Sequence, residues 1–97
     1  MKLIRNKAGE GKTTELIKMA AKDNLYIVCF NHEEAYKVSD QATKMGFDIP
    51  FPLTFTEFLG GQFYAAGIKG LLIDNLDHLI IRMAKGVPVN AISMRHK

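Results

Sequence analysis

The sequence predicts an α/β fold, a three-layer domain on a mainly parallel sheet of about four strands with helices on both faces. Three observations predict it. Short apolar, β-rich runs alternate with stretches of helical spacing along the chain. The inner runs "LYIVCF" and "GLLID" are apolar at nearly every position, as strands covered on both faces are. Strand-helix units of this length return the chain by right-handed crossovers to the next parallel strand. With 97 residues there is room for a single domain, residues 1–97, with a small core.

The elements follow in order. "KLIRN" is a short apolar strand, and "TTELIKMAAK" after it sets Leu16, Ile17, Ala20 and Ala21 at helical spacing, ending near Asp23 and Asn24. "LYIVCF" is the second strand. Asn31 reads as a helix N-cap with Glu34 as its partner, and Ala35, Val38, Ala42 and Met45 supply the apolar face up to Gly46. "FDIPFP" is a loop, and Thr54 with Glu57 opens a short helix in "TFTEFLGGQF". "GLLID" is the third strand, "NLDHLIIRMAKG" a helix closed by Gly86, and "VNAISM" a fourth strand.

Composition excludes several classes. Cys29 has no cysteine partner and no ligand spacing around it, which argues against a disulfide framework or a zinc site and fits a cytoplasmic protein. No apolar run approaches the roughly 18 residues of a membrane span, and "MKLIRNK" is interrupted by charge too often for a secretion signal. His32, His78 and His96 show no ligand spacing. The net charge of +3 comes from thirteen Lys and Arg spread along the chain, so any nucleic-acid binding is expected to be weak. Phe47, Phe51, Phe55, Phe58, Phe63 and Tyr64 cluster in the middle third, suited to core packing or a protein-binding patch before base stacking.

The stretch "RNKAGEGKTTEL" lies where a strand gives way to a helix, which is the setting a phosphate-binding loop requires. Glycines at positions 9 and 11 let consecutive amides turn inward, and the helix N-terminus adds partial positive charge. Asn6, Ala8, Gly9, Glu10, Gly11, Lys12, Thr13 and Thr14 are therefore the candidate nucleotide-binding residues. Lys12 suits the β and γ phosphates, and Thr13 a magnesium ion. Asn6 stands where the usual pattern has its first glycine; asparagine tolerates left-handed backbone best after glycine. Downstream, "GLLIDNLDHL" places Asp74 directly after a buried strand, at the crevice where open α/β sheets bind ligands, so Asp74 is a second candidate metal ligand.

At these residues the chain resembles the additional-strand P-loop ATPases, and more narrowly the nucleotide-binding core of superfamily one helicases. "AGEGKTT" is similar to their first motif, "LTFTEFL" to the segment before their Walker B motif, and "LLIDNLDHL" to their apolar-Asp-Glu-x-x-Asp segment. The chain also looks like the short P-loop proteins of phages and prophages. The resemblance implies a P-loop NTPase-like domain that binds ATP or another NTP with Mg2+, and a helicase-like, DNA-metabolism setting.

Two departures bear on mechanism. Asn75 stands where the helicases place the glutamate that polarises the attacking water, and an amide cannot accept a proton. Asp74 and Asn75 are thus the candidate catalytic pair, with Glu33, Glu34, Asp77 and His78 as possible substitutes for the base, although Asp77 reads first as an N-terminal capping charge and Glu34 as the partner of the Asn31 cap. Helicases also need an arginine finger and a second motor domain, for which 97 residues leave no room. At the end of the chain, Ser93 occupies roughly the place of a γ-phosphate sensor and Arg95 could reach a phosphate, but a basic, frayed C-terminus is the preferred reading. The expected function is Mg-dependent NTP binding with slow or partner-dependent hydrolysis. The alternative is a non-enzymatic module with a structural P-loop that docks on a host or phage protein.

Overall fold

A computed structural model describes residues 11–61, 69–93 and 95. Helix α1 (Lys12–Asp23) begins after Gly11, whose φ of 85° belongs to the left-handed region, and ends at left-handed Asn24. Strand β1 (Tyr26–Cys29) follows, then α2 (His32–Met45). Asn31 caps α2 by accepting a hydrogen bond from the Glu34 amide at 2.9 Å, and Gly46 closes it with a φ of 81°. Next come β2 (Leu53–Thr54) and α3 (Phe55–Leu59). Thr54 and Glu57 form a reciprocal capping box: the Glu57 amide donates to Thr54 Oγ1 at 3.1 Å, and the Thr54 amide donates to Glu57 Oε1 at 2.8 Å. Strand β3 (Leu71–Ile73) and helix α4 (Leu76–Met83) complete the regular elements.

The three strands form a parallel sheet in the order β2-β1-β3, with Val28 opposite Leu53 and Ile73, and Ile27 opposite Leu72. The ladder runs one residue past β3, where the Asp74 amide donates to the Val28 carbonyl at 3.0 Å. Alternation along β1 divides the core. Ile27 and Cys29 face Leu16, Ile17 and Ala20 of α1 and Ala35, Val38 and Ala42 of α2, whereas Val28 packs with Phe55 of α3 and Leu79 of α4. The helices therefore cover both faces, and β1 is buried because neither of its faces meets water. Truncating fully buried Ile27 to alanine would cost about 2–5 kcal/mol through lost transfer energy and the cavity left behind.

The α/β class and the parallel sheet match the sequence expectation, but the described sheet has three strands instead of about four. "KLIRN" lies outside the described residues. Val89–Ser93, expected as strand, form no strand; Val87, Val89 and Ile92 are exposed, Pro88 has no amide to donate, and an apolar pattern makes a strand only where an edge accepts it. Strand β2, conversely, was not expected. Two residues carry no periodicity, and pairing with β1 alone defines them.

The aromatic segment divides by role. Phe55 is fully buried and Phe47 and Phe58 pack at the core margins, while Phe51 is exposed with its ring 5.3 Å from that of exposed Tyr36. Phe63 and Tyr64 lie outside the described residues. No described helix is long and apolar enough to cross a membrane.

Candidate functional site

Because β1 and β3 are parallel, both release the chain at the same end of the sheet. After β1 come Phe30, Asn31 and the first turns of α2; after β3 come Asp74, Asn75 and the first turns of α4. A cleft of about 530 Å3 opens between them. Phe30, Asn31, Glu33, Glu34 and Lys37 line it from the β1 side, and Asp74, Asn75, His78, Ile81 and Arg82 from the β3 side. Its place outside the carboxyl ends of the strands is where open α/β sheets bind ligands.

Asp74 is the most buried charged group of the cleft, at 9 % exposure. Burial pushes its carboxyl above the ordinary carboxylate range; the Lys12 ammonium opposes that rise, Glu34 adds to it, His78 opposes it, and Asp77 adds to it. Lys12 does not line the cleft, yet its charge reaches Asp74 from the first turn of α1. Among the described residues Asp74 has no cation within ion-pair distance. Cys29, the last residue of β1, senses the same centre: burial, then the charges of Asp74 and Glu34, push its thiol up to about 12.

The cleft walls are cross-linked. The Phe30 ring meets Phe55 edge-on at 5.7 Å and His78 at 5.8 Å, and the Arg82 guanidinium lies 5.9 Å from its centroid. Arg82 Nη2 also donates to Thr56 Oγ1 at 2.9 Å, tying α4 to α3. Lys37 Nζ lies 3.5 Å from Glu34 Oε2 across one helical turn.

Of the predicted nucleotide-binding residues, Asn6, Ala8, Gly9 and Glu10 lie outside the described residues. Gly11 takes the left-handed conformation that the loop-to-helix turn needs, and Lys12 and Thr13 are half-buried in the first turn of α1. Thr14 faces α2, where its hydroxyl accepts a hydrogen bond from Gln41 Nε2 at 3.0 Å. Asp74 and Asn75 both line the cleft. Asn75 sits at the N-cap of α4 with φ 58° and ψ 65°, and its side chain makes no capping hydrogen bond. Its identity therefore has a backbone reason, since asparagine accepts left-handed geometry that most side chains resist.

Phe30, Lys37 and Arg82 were not singled out from the sequence. A signal existed: His78 and Arg82 follow Asp74 at steps of four on one helical face, and Glu34 and Lys37 are one turn apart on another. Exposed Ser93 and Arg95 lie outside regular structure and do not line the cleft. Compared with protein-family models, curated proteins and solved structures, the chain matches none.

Proposed function

We propose that the chain binds a nucleoside triphosphate, ATP by preference, with magnesium at the carboxyl end of the sheet, and hydrolyses it slowly or only when a partner is bound. The observation that carries this reading is Asp74, a buried carboxylate at the end of a parallel strand with no ion-pair partner among the described residues and with the Lys12 charge acting on it. A carboxylate so placed is stabilised by a cation beside it. Magnesium binds through one or two carboxylates and takes the rest of its oxygens from water and phosphates, so Asp74 with a bound triphosphate would suffice to hold it.

In this reading Lys12 meets the β and γ phosphates as a point charge, the first amides of α1 turn toward the same anion, and Thr13 and Asp74 hold the metal. Magnesium, when bound, neutralises charge developing on the phosphates. Together with the resemblance of "AGEGKTT" and "LLIDNLDHL" to helicase motifs, this reading makes the chain a P-loop NTPase-like domain of the helicase-core type in a phage or prophage DNA-metabolism setting. Tyr36, 65 % exposed and in edge contact with exposed Phe51, favours a second reading, in which a protein partner docks on this aromatic pair and nucleotide serves to stabilise the fold.

The test is a thermal-shift titration with Mg-ATP on wild type and Lys12→Ala. Lys12→Ala weakens binding at least tenfold, about 1.4 kcal/mol, and leaves the unliganded protein folded. Equal stabilisation of both proteins refutes the phosphate-binding role.

A further inference from the structure

Asn75 leaves the site without the proton acceptor that hydrolysis needs, and four ionisable side chains stand in the first turns of α2 and α4 that flank the cleft. Asp77 is exposed in the first turn of α4 and does not line the cleft, and His78 is exposed with its ring against Phe30. Glu33 is exposed at the outer rim. Glu34 differs from all three. Its amide is pinned to Asn31 Oδ1, which fixes the residue in the first turn of α2, while its side chain takes no part in capping. Glu57, the equivalent residue of α3, turns back to bond the Thr54 amide. The Glu34 carboxylate instead lines the cleft, half-buried, with one oxygen toward Lys37, and its charge acts on both Asp74 after β3 and Cys29 at the end of β1.

We propose that Glu34 supplies the carboxylate that Asn75 does not, accepting the proton of the water that attacks the bound triphosphate. The inference rests on the nucleotide-binding reading above. In the step, the water oxygen forms a bond to the γ-phosphorus and its proton passes to the Glu34 carboxylate. The bond from the γ-phosphorus to the bridging oxygen breaks, and its electron pair stays on the nucleoside diphosphate. Inorganic phosphate leaves, and Glu34, with 43 % of its side chain exposed, returns the proton to solvent. The Lys37 side chain is 70 % exposed, and its Nζ lies 3.5 Å from one oxygen of the Glu34 carboxylate.

The experiment measures Mg-ATP affinity and single-turnover hydrolysis on wild type, Glu34→Gln, Glu34→Asp and, as a charge control on the same helix, Asp40→Asn. Glu34→Gln keeps the amide that Asn31 caps and nearly the same side-chain shape, so its unfolding midpoint and its nucleotide affinity stay at the wild-type values while its rate falls by roughly 10²-fold or more. Glu34→Asp, with the carboxylate drawn back, recovers part of the rate, and Asp40→Asn matches wild type. Equal rates for wild type and Glu34→Gln overturn the assignment, as does a wild type that binds nucleotide and never turns it over. A wild type that binds no nucleotide overturns the functional reading itself, an outcome recognised by the affinity arm alone.

Discussion

Replacing Asn75 tests the backbone at the heart of the site. With φ at 58° the residue lies in the left-handed region, where a Cβ crowds the following carbonyl and costs roughly 1–2 kcal/mol for ordinary residues. Asn75 makes no side-chain capping bond that a substitution would lose, so the cost of Asn75→Ala is almost purely conformational. Asn75→Ala and Asn75→Glu should each lower stability by about 1 kcal/mol, which in a domain of this size moves the melting temperature by about 4–8 °C. Asn75→Gly should stay within about 0.5 kcal/mol of wild type, because glycine enters this region freely but gives up more chain entropy. Urea unfolding at unchanged m value is the assay. Alanine and glutamate variants as stable as wild type, with glycine clearly weaker, would refute the left-handed assignment. The same strain means that a glutamate introduced here, beside Asp74, need not stand where a helicase holds its own, so its hydrolysis rate is informative only next to that of Asn75→Gly.

Asp74→Asn removes a carboxyl whose burial holds it above its ordinary value of 3.8. A raised acid favours the folded state below that ordinary value and loses this contribution as pH rises through the folded value. The asparagine variant should therefore unfold at higher temperature than wild type at neutral pH, with the gap closing in acid, and should lose the extra stabilisation that magnesium adds to ATP; a variant less stable at neutral pH would contradict the desolvation account. Cys29, 1 % exposed with its thiol at about 12, should resist an aromatic disulfide reagent at pH 8 until the chain is unfolded, and rapid labelling of the native protein would contradict its burial. Thr54→Ala should cost about 1 kcal/mol, and adding Glu57→Ala should cost less than its separate effect, since either change breaks the reciprocal box; full additivity in a double-mutant cycle would show that the two hydrogen bonds act independently.

What could be read from the sequence was local chemistry. Asn31 before α2, Thr54 with Glu57 before α3, and the helix ends near Asn24 and at Gly46 follow from residues within one turn of each other, and the structure places each where the pattern puts it. Strands β1 and β3 were legible because each is an unbroken apolar run, β1 buried on both faces at the centre of the sheet and β3 pairing with it. Features that depend on distant partners were not. Strand β2 exists through its pairing with β1, and the "VNAISM" pattern, equally strand-like by composition, stays outside the described sheet. At the site, Asp74 was legible from its place after an apolar strand. The left-handed backbone of Asn75 was not, because the comparison with helicases framed that position as a missing glutamate and hid its role as a turn residue. Glu34 was read first as a capping partner and then as one of four possible bases, and the three-dimensional arrangement shows its amide doing the capping and its carboxylate lining the cleft.

The central claim, a triphosphate site shared by Lys12 and Asp74, is tested most directly by calorimetric titration of ATP into the purified chain with and without magnesium. The account predicts saturable binding at one site per chain, tighter with magnesium, weakened at least tenfold by Lys12→Ala, and indifferent to magnesium in Asp74→Asn. Absence of saturable binding by the folded wild-type chain, or binding unchanged by both substitutions, would contradict it.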